Sequence, residues 1–428
     1  MGRWGWPLAL VLLVACGALA EGPLVHVLGG DFSHAPEDAP FLLNENAQAL
    51  IKRAYSGLGK DALKDYGVHL LAMGDDNQGG FAPQERGWWH PLAHLRLAVL
   101  LSAGGVRGSD QPDRAYVARL VRLVRTLPQP MQVDLLALDR AYLRDGSANP
   151  LRTRAYVPND YVARVSARYN KRFHPIVSVN PYRPGALKAL KRWGEAGVRG
   201  VYWRPSEQGI NPADLKLKPF YAAMKGYGMA LFVQSGRGDG PGARRDQSLN
   251  NPLRLRLALK LGVKVVMMSA GAHGTSADVE KLGHPQVPSY RLCLRLLDDP
   301  RYKGRVFASL SGLFSGGRSL AALSALLQRP DLADRLVYAS DYPHSAEAGR
   351  IHLNRFVRGG FLDAAQVRSL RDIYGFNPLL FDFVLARSVH LPHTHVRFQP
   401  AVFRSHGALD GTGGEAKSKT SQGSKASK

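Results

Sequence analysis

Asp65-Tyr66-Gly67-Val68-His69-Leu70-Leu71-Ala72-Met73-Gly74 is an apolar run that closes on glycine and is followed by Asp75, Asp76 and the pair Gly79-Gly80. It reads as a barrel strand running into a loop at the barrel mouth. Strand side chains alternate, so residues i and i+2 share a face. A His-x-His here would offer two imidazoles to a metal ion; this chain has His69 in the second position and Gly67 in the first.

Working outward, seven further short apolar runs follow: Val133 to Leu138, Pro175 to Val179, Gly200 to Trp203, Met229 to Val233, Val263 to Met268, Val306 to Leu310 and Leu336 to Ala339. Amphipathic helical stretches separate them, among them Tyr116 to Leu127, Ala186 to Ala196 and Leu320 to Leu327. Strands buried on both faces read as continuous apolar runs, and eight strand-helix units predict an α/β fold, a (β/α)8 TIM barrel. The expected organisation is a signal peptide over 1–20, an N-terminal extension over 21–60, the barrel over 61–404 and a disordered basic tail over 405–428. The extension holds the apolar run Pro23 to Gly30, read as a strand with an interior His26, and a helix from Leu43 to Ser56. It is expected to pack outside the barrel or across one mouth.

Arg3, the apolar run Pro7 to Ala15 and the small residues beyond it form the signal. Two processing readings stand side by side. Leu13-Val14-Ala15-Cys16 resembles a bacterial lipoprotein box, and Ala18-Leu19-Ala20 resembles an ordinary cleavage site before Glu21. Both predict export to the periplasm or outer membrane of a bacterium, and lipidation of Cys16 would add membrane association. Cys293, in Leu292-Cys293-Leu294, reads as a buried, inert thiol.

The 428 residues carry 57 Lys and Arg against 34 Asp and Glu, a formal net charge of +23. For an exported protein that balance points to lipid headgroups, wall polymers or an anionic small molecule rather than nucleic acid, or to a general surface bias. Part of the excess lies in the Ser, Gly and Lys tail from Gly411 to Lys428.

Chemistry in such barrels sits at the C-terminal strand ends, which here carry His69, Asp139, Asn180, Tyr202 with Arg204, Gln234, Ser269, Ser311 and Asp341. Ser178-Val179-Asn180-Pro181, Asn251-Pro252-Leu253, Ala339-Ser340-Asp341-Tyr342-Pro343-His344 and Asn377-Pro378-Leu379-Leu380-Phe381 join the opening stretch in resembling the amidohydrolase superfamily. The branch is the amidohydrolase-related one that includes aminocarboxymuconate semialdehyde decarboxylase, and the resemblance covers roughly residues 60 to 390. It implies a metal held by His-x-His on strand 1, sometimes a Lys on strand 4, a His each on strands 5 and 6, and an Asp on strand 8. Carried over, those positions hold Gly67, His69, Tyr202, Gln234, Ser269 and Asp341. Two donors remain, whereas a catalytic zinc needs about three protein donors plus a water. The resemblance therefore implies the fold while the residues argue against the family's chemistry.

The expectation is a metal-free envelope protein that binds an anionic ligand or partner and needs no cofactor. The alternative is an active hydrolase or decarboxylase, with Zn or Mn, in which His69 and Asp341 are catalytic and His273 or His344 is recruited. Ligand-binding candidates are Arg204, Tyr202, Gln234, Arg237, Ser269, His273 and His344. Arg237 opens a basic glycine loop that continues to Arg244 and Arg245, and guanidinium groups grip planar anions in a fork. Trp88, Trp89 and His90 are candidates for an aromatic wall. Restoring histidine at 67, 234 and 269 together is expected to restore metal binding without unfolding the barrel.

Overall fold

The computed structural model describes residues 23–410 apart from 33, 61, 75–78, 82–89, 170–171, 239, 241–245 and 318. Eight parallel strands form the barrel: β1 Leu63–His69, β2 Met131–Leu136, β3 Phe173–Ile176, β4 Gly200–Trp203, β5 Ala230–Gln234, β6 Val265–Met268, β7 Val306–Ser309 and β8 Leu336–Val337. Ladders run β1-β2-β3 and β4-β5-β6-β7-β8. The Val177–Val201 bridge joins the two sets. Tyr66 N–H to Tyr338 O at 2.9 Å and Asp341 N–H to Gly67 O at 2.9 Å close the ring between β8 and β1. All eight apolar runs are thus strands in the expected order, and β1 starts five residues earlier than its run.

Tyr66, Leu136, Ile176, Phe232, Val266 and Phe307 fill the interior, and a larger apolar shell lies between strands and helices. The register slips between Asp65 and Val68. A Cβ on Gly67 would point among interior side chains, 3.0 Å from Met268 Cε and 3.2 Å from Ala339 Cβ. Glycine lets the bulged strand pass these neighbours.

Asp65 is fully buried, and one of its oxygens accepts from the N–H groups of Gly67 and Ser340, both at 3.0 Å. This ties β1 to β8 just below the mouth. Burial raises its carboxyl to about 6, against those hydrogen bonds. A carboxyl raised on folding favours the native state at low pH, and that contribution is lost as pH climbs from about 4 to about 6. Urea unfolding should therefore show Asp65→Asn gaining about 2 kcal/mol relative to the parent between pH 4 and pH 7. A constant difference across that range would refute the assignment.

The run over Pro23–Gly29 is a helix, α1, and not a strand. Its Gly29 lies so close to Ser102 that a Cβ would sit 2.5 Å from Ser102 Cβ. His26 is exposed and meets the Arg107 guanidinium at 2.9 Å. A seven-residue apolar run fits either period, and packing on a second helix, α2 (Pro91–Ala103), decides it. The extension lies at the mouth, where Leu28 lines the main cavity. Its helix Glu45–Tyr55 begins at an Asn44 cap and matches the expected span within two residues.

The segment from 405 departs from the expected disorder through residue 410. Gly407–Asp410 forms a helical turn under the barrel floor, with Leu409 buried. Asp410 accepts from Tyr66 Oη at 2.9 Å and lies 3.5 Å from Lys64 Nζ. Lys64 itself sits 2.5 Å from Asp134. An apolar plug and a carboxylate for a buried ammonium hold these residues in place. Burial disfavours the Lys64 charge, but Asp134 and Asp410 outweigh it and raise its pKa. The rest of the tail, the signal with Cys16, Trp88 and Trp89, and Arg244 and Arg245 lie outside the described residues. Cys293 is buried and its thiol is pushed far up, as an inert core thiol should be.

Candidate functional site at the barrel mouth

The C-terminal strand ends open into a cavity of about 870 Å³, within the usual range for small-molecule sites. His69 ends β1 and Asp341 follows β8, so closure of the barrel makes them neighbours, His69 Nε2 to Asp341 Oδ1 at 3.1 Å. Asp341 adopts a left-handed backbone (φ 62°), which Asp tolerates better than most residues. The Tyr202 ring meets the His69 ring edge-on at 5.7 Å, and the His344 ring meets it from another side at 5.5 Å. His344 Nδ1 bonds Glu347 Oε1 at 2.9 Å. Two histidine-carboxylate pairs thus stand side by side.

Their electrostatics differ. Burial lowers the His69 imidazole below its usual range, against the pull of Asp341. At His344 burial acts the same way, but the hydrogen bond and charge of Glu347, with help from Asp341, outweigh it and raise the imidazole. His344 therefore holds its proton to higher pH than His69, an arrangement able to take a proton at one ring and give one at the other.

The remaining candidates divide. Tyr202, Gln234, Arg204, Arg237 and His273 all line the cavity with His69, Asp341 and His344. Arg204 Nη2 is 2.7 Å from Glu207 Oε1, and the Arg237 N–H donates to His273 O at 2.8 Å. Ser269 is a correction, because it is buried and does not line the cavity. Its N–H donates to Ser309 Oγ at 3.1 Å and Ser311 Oγ at 2.8 Å, and a left-handed turn (φ 62°) aligns that N–H with the two hydroxyls. His90 is exposed at the start of α2.

Sequence reasoning missed Arg152, Arg154, Glu347 and Arg350, which also line the cavity. Arg152 lies in a turn and Arg154 directly before the short strand Ala155–Tyr156, and the closely spaced arginines of Arg152-Thr153-Arg154 are the signal present in the chain. Arg152 reaches Ser206 O at 3.2 Å and pairs with Asp246. With Arg96, six arginines border the cavity. Among the described residues, four carboxylates stand beside them: Asp341 and Glu347 in the lining, and Glu207 and Asp246 behind it.

The donor set does not fit a catalytic zinc. His69 and Asp341 bond each other, the other family positions carry Gly67, Tyr202, Gln234 and Ser269, and among the described residues no group of three His, Cys, Asp or Glu side chains is arranged to hold a metal ion. The expected triple restoration carries a packing cost and a backbone cost. A histidine at 67 needs Met268 and Ala339 to give way for its Cβ alone, and one at 269 must take a left-handed backbone.

Comparison with known proteins follows this geometry. An uncharacterized TIM-barrel protein from Bordetella bronchiseptica aligns at 17% identity and a TM-score of 0.46, covering 76% of this chain and 99% of its own. The manganese-bound 5-carboxyvanillate decarboxylase of Novosphingobium aromaticivorans aligns at 12% and 0.44, covering 82% and 97%. The IDCase of Metarhizium anisopliae aligns at 13% and 0.41, covering 82% and 97%. No curated protein sequence matches the chain. A family profile described as amidohydrolase matches residues 68–370, from β1 to the helix that precedes Asn377, and the chain belongs to that amidohydrolase family.

Proposed function

We propose that this chain is an exported, metal-free member of its family that binds an anionic ligand at the barrel mouth. The observation that carries the reading is the arginine set bordering the cavity, which His69, Tyr202, Gln234 and Asp341 also line. Export rests on the signal-like first twenty residues. Fold stability resides in the barrel and chemistry in its loops, so such reuse of the scaffold is physically open.

The test is calorimetric titration of the purified protein with malonate, citrate and inorganic phosphate, alongside elemental analysis after dialysis against zinc or manganese. Binding without stoichiometric metal is expected. Arg154→Ala should weaken it about tenfold or more, the effect of one lost charge-assisted hydrogen bond. Stoichiometric metal, or no binding of any of the three anions, would overturn the reading.

A second reading is favoured by the 3.1 Å contact of His69 with Asp341 in the cavity wall: a hydrolase or carbon-carbon lyase with His69 as base and Asp341 orienting it. It requires turnover that His69→Ala and Asp341→Ala both abolish.

A further inference from the structure

The lining of the mouth holds most of its arginines on one side and most of its leucines on another, although Arg96 of α2 and Arg350 stand among the leucines. Arg152, Arg154, Arg204 and Arg237 come from loops that meet over β4 and β5, as the contacts of Arg152 with Ser206 and Asp246 show. The opposite side, over β1 and β2, is built from Leu70, Leu71 and Leu138 with Leu97 and Leu100 of α2 above them. Leu28 of α1 extends this wall. Leu151, 73% exposed, stands at the rim directly before Arg152 and Arg154.

Helix α2 is the informative element. Its sequence, Pro-Leu-Ala-His-Leu-Arg-Leu-Ala-Val-Leu-Leu-Ser-Ala, is apolar around most of its circumference. Such a helix is normally covered on all sides. One side packs on α1, and another carries Ala93, Leu95, Leu97 and Leu100 to the cavity. Leu97 and Leu100 are buried there, whereas Ala93 and Leu95 stay half-buried on the cavity and Arg96 is exposed beside them.

Size agrees. A cavity of about 870 Å³ lies in the range of small-molecule sites and has room beyond a carboxylate or phosphate group alone.

Building on the anion-binding reading above, we infer that the ligand is a single-chain anionic amphiphile, its carboxylate or phosphate head among the arginines over β4 and β5 and its hydrocarbon chain along the leucine wall of β1, β2 and α2. Guanidinium groups fix the planar or tetrahedral head, and the chain is driven onto the wall by loss of apolar contact with water.

The experiment is calorimetric titration of the full chain with straight-chain alkanoates from acetate to myristate, and with the matching monoalkyl phosphates, all below their micelle concentrations. The expected result is affinity that rises about threefold with each added methylene until the cavity is full. A tighter alkanoate series identifies a fatty-acid head and a tighter phosphate series a lysophospholipid-like head; either supports the inference. Leu95→Asp should flatten the dependence on chain length. Affinity indifferent to chain length in both series would overturn the inference, as would a Leu95→Asp variant with the full parental slope. The broader reading fails separately, since a flat series with malonate binding lost in Arg154→Ala sinks only the amphiphile.

Discussion

The Lys64→Met variant is expected to lose about 3–5 kcal/mol of stability, the usual cost of breaking a buried ion pair from one side. Lys64 is 3% exposed on the barrel floor, between Asp134 at 2.5 Å and Asp410 at 3.5 Å. Removing the ammonium leaves two carboxylates near each other without their cation, and Asp134, whose carboxyl burial already holds up, loses the partner that favours its charge. Urea unfolding at pH 7 measures the loss. Because replacing a whole buried pair with apolar groups is often close to neutral, Lys64→Met combined with Asp134→Leu should recover most of it. A single variant as stable as the parent would show that the floor is held by its apolar plug alone.

Asn377→Ala is expected to cost about 2–4 kcal/mol, combining a lost helix cap with lost buried hydrogen bonds. Asn377 is 1% exposed and fully used. Its Oδ1 accepts from Leu379 and Leu380 N–H at 3.0 Å each, at the start of the helix Pro378–Ser388. Its Nδ2 donates to Leu123 O at 2.9 Å and Thr126 Oγ1 at 3.0 Å, the last turn of the helix Pro112–Arg125 and the residue after it. One side chain thus starts one helix and ends another. Asn377→Asp keeps the acceptor and loses the donors, so it should fall between parent and alanine; equal loss in both variants would put the whole effect on the donors.

What could be read in the chain follows from how locally each feature is encoded. The strands were legible because a parallel strand covered on both faces must be apolar along its length, as Val265–Met268 is. The pairing of His69 with Asp341 followed from closure, since first and last strands of a barrel must touch. The helix at Pro23–Gly29 was not legible, because its partner α2 lies more than sixty residues away in sequence. The floor plug was hidden for a similar reason: Leu409 and Asp410 acquire meaning only beneath Tyr66 and Lys64. Ser269 occupies a family ligand position, yet the turn aims its N–H at Ser309 and Ser311 and keeps it out of the cavity. Arg350 went unnoticed because a loop of unknown course follows His344, and only folding brings its guanidinium back to the mouth.

The crowding around Gly67 comes from two sides. Met268 Cε would lie 3.0 Å and Ala339 Cβ 3.2 Å from a Cβ at 67, so each must give by a few tenths of an ångström before any side chain enters there. Met268 has the flexible tip that can swing away and Ala339 has none, so the side facing β8 is the stiffer one. The bulged glycine thus makes strand position 67 a gauge of how far the β8 wall of the barrel yields.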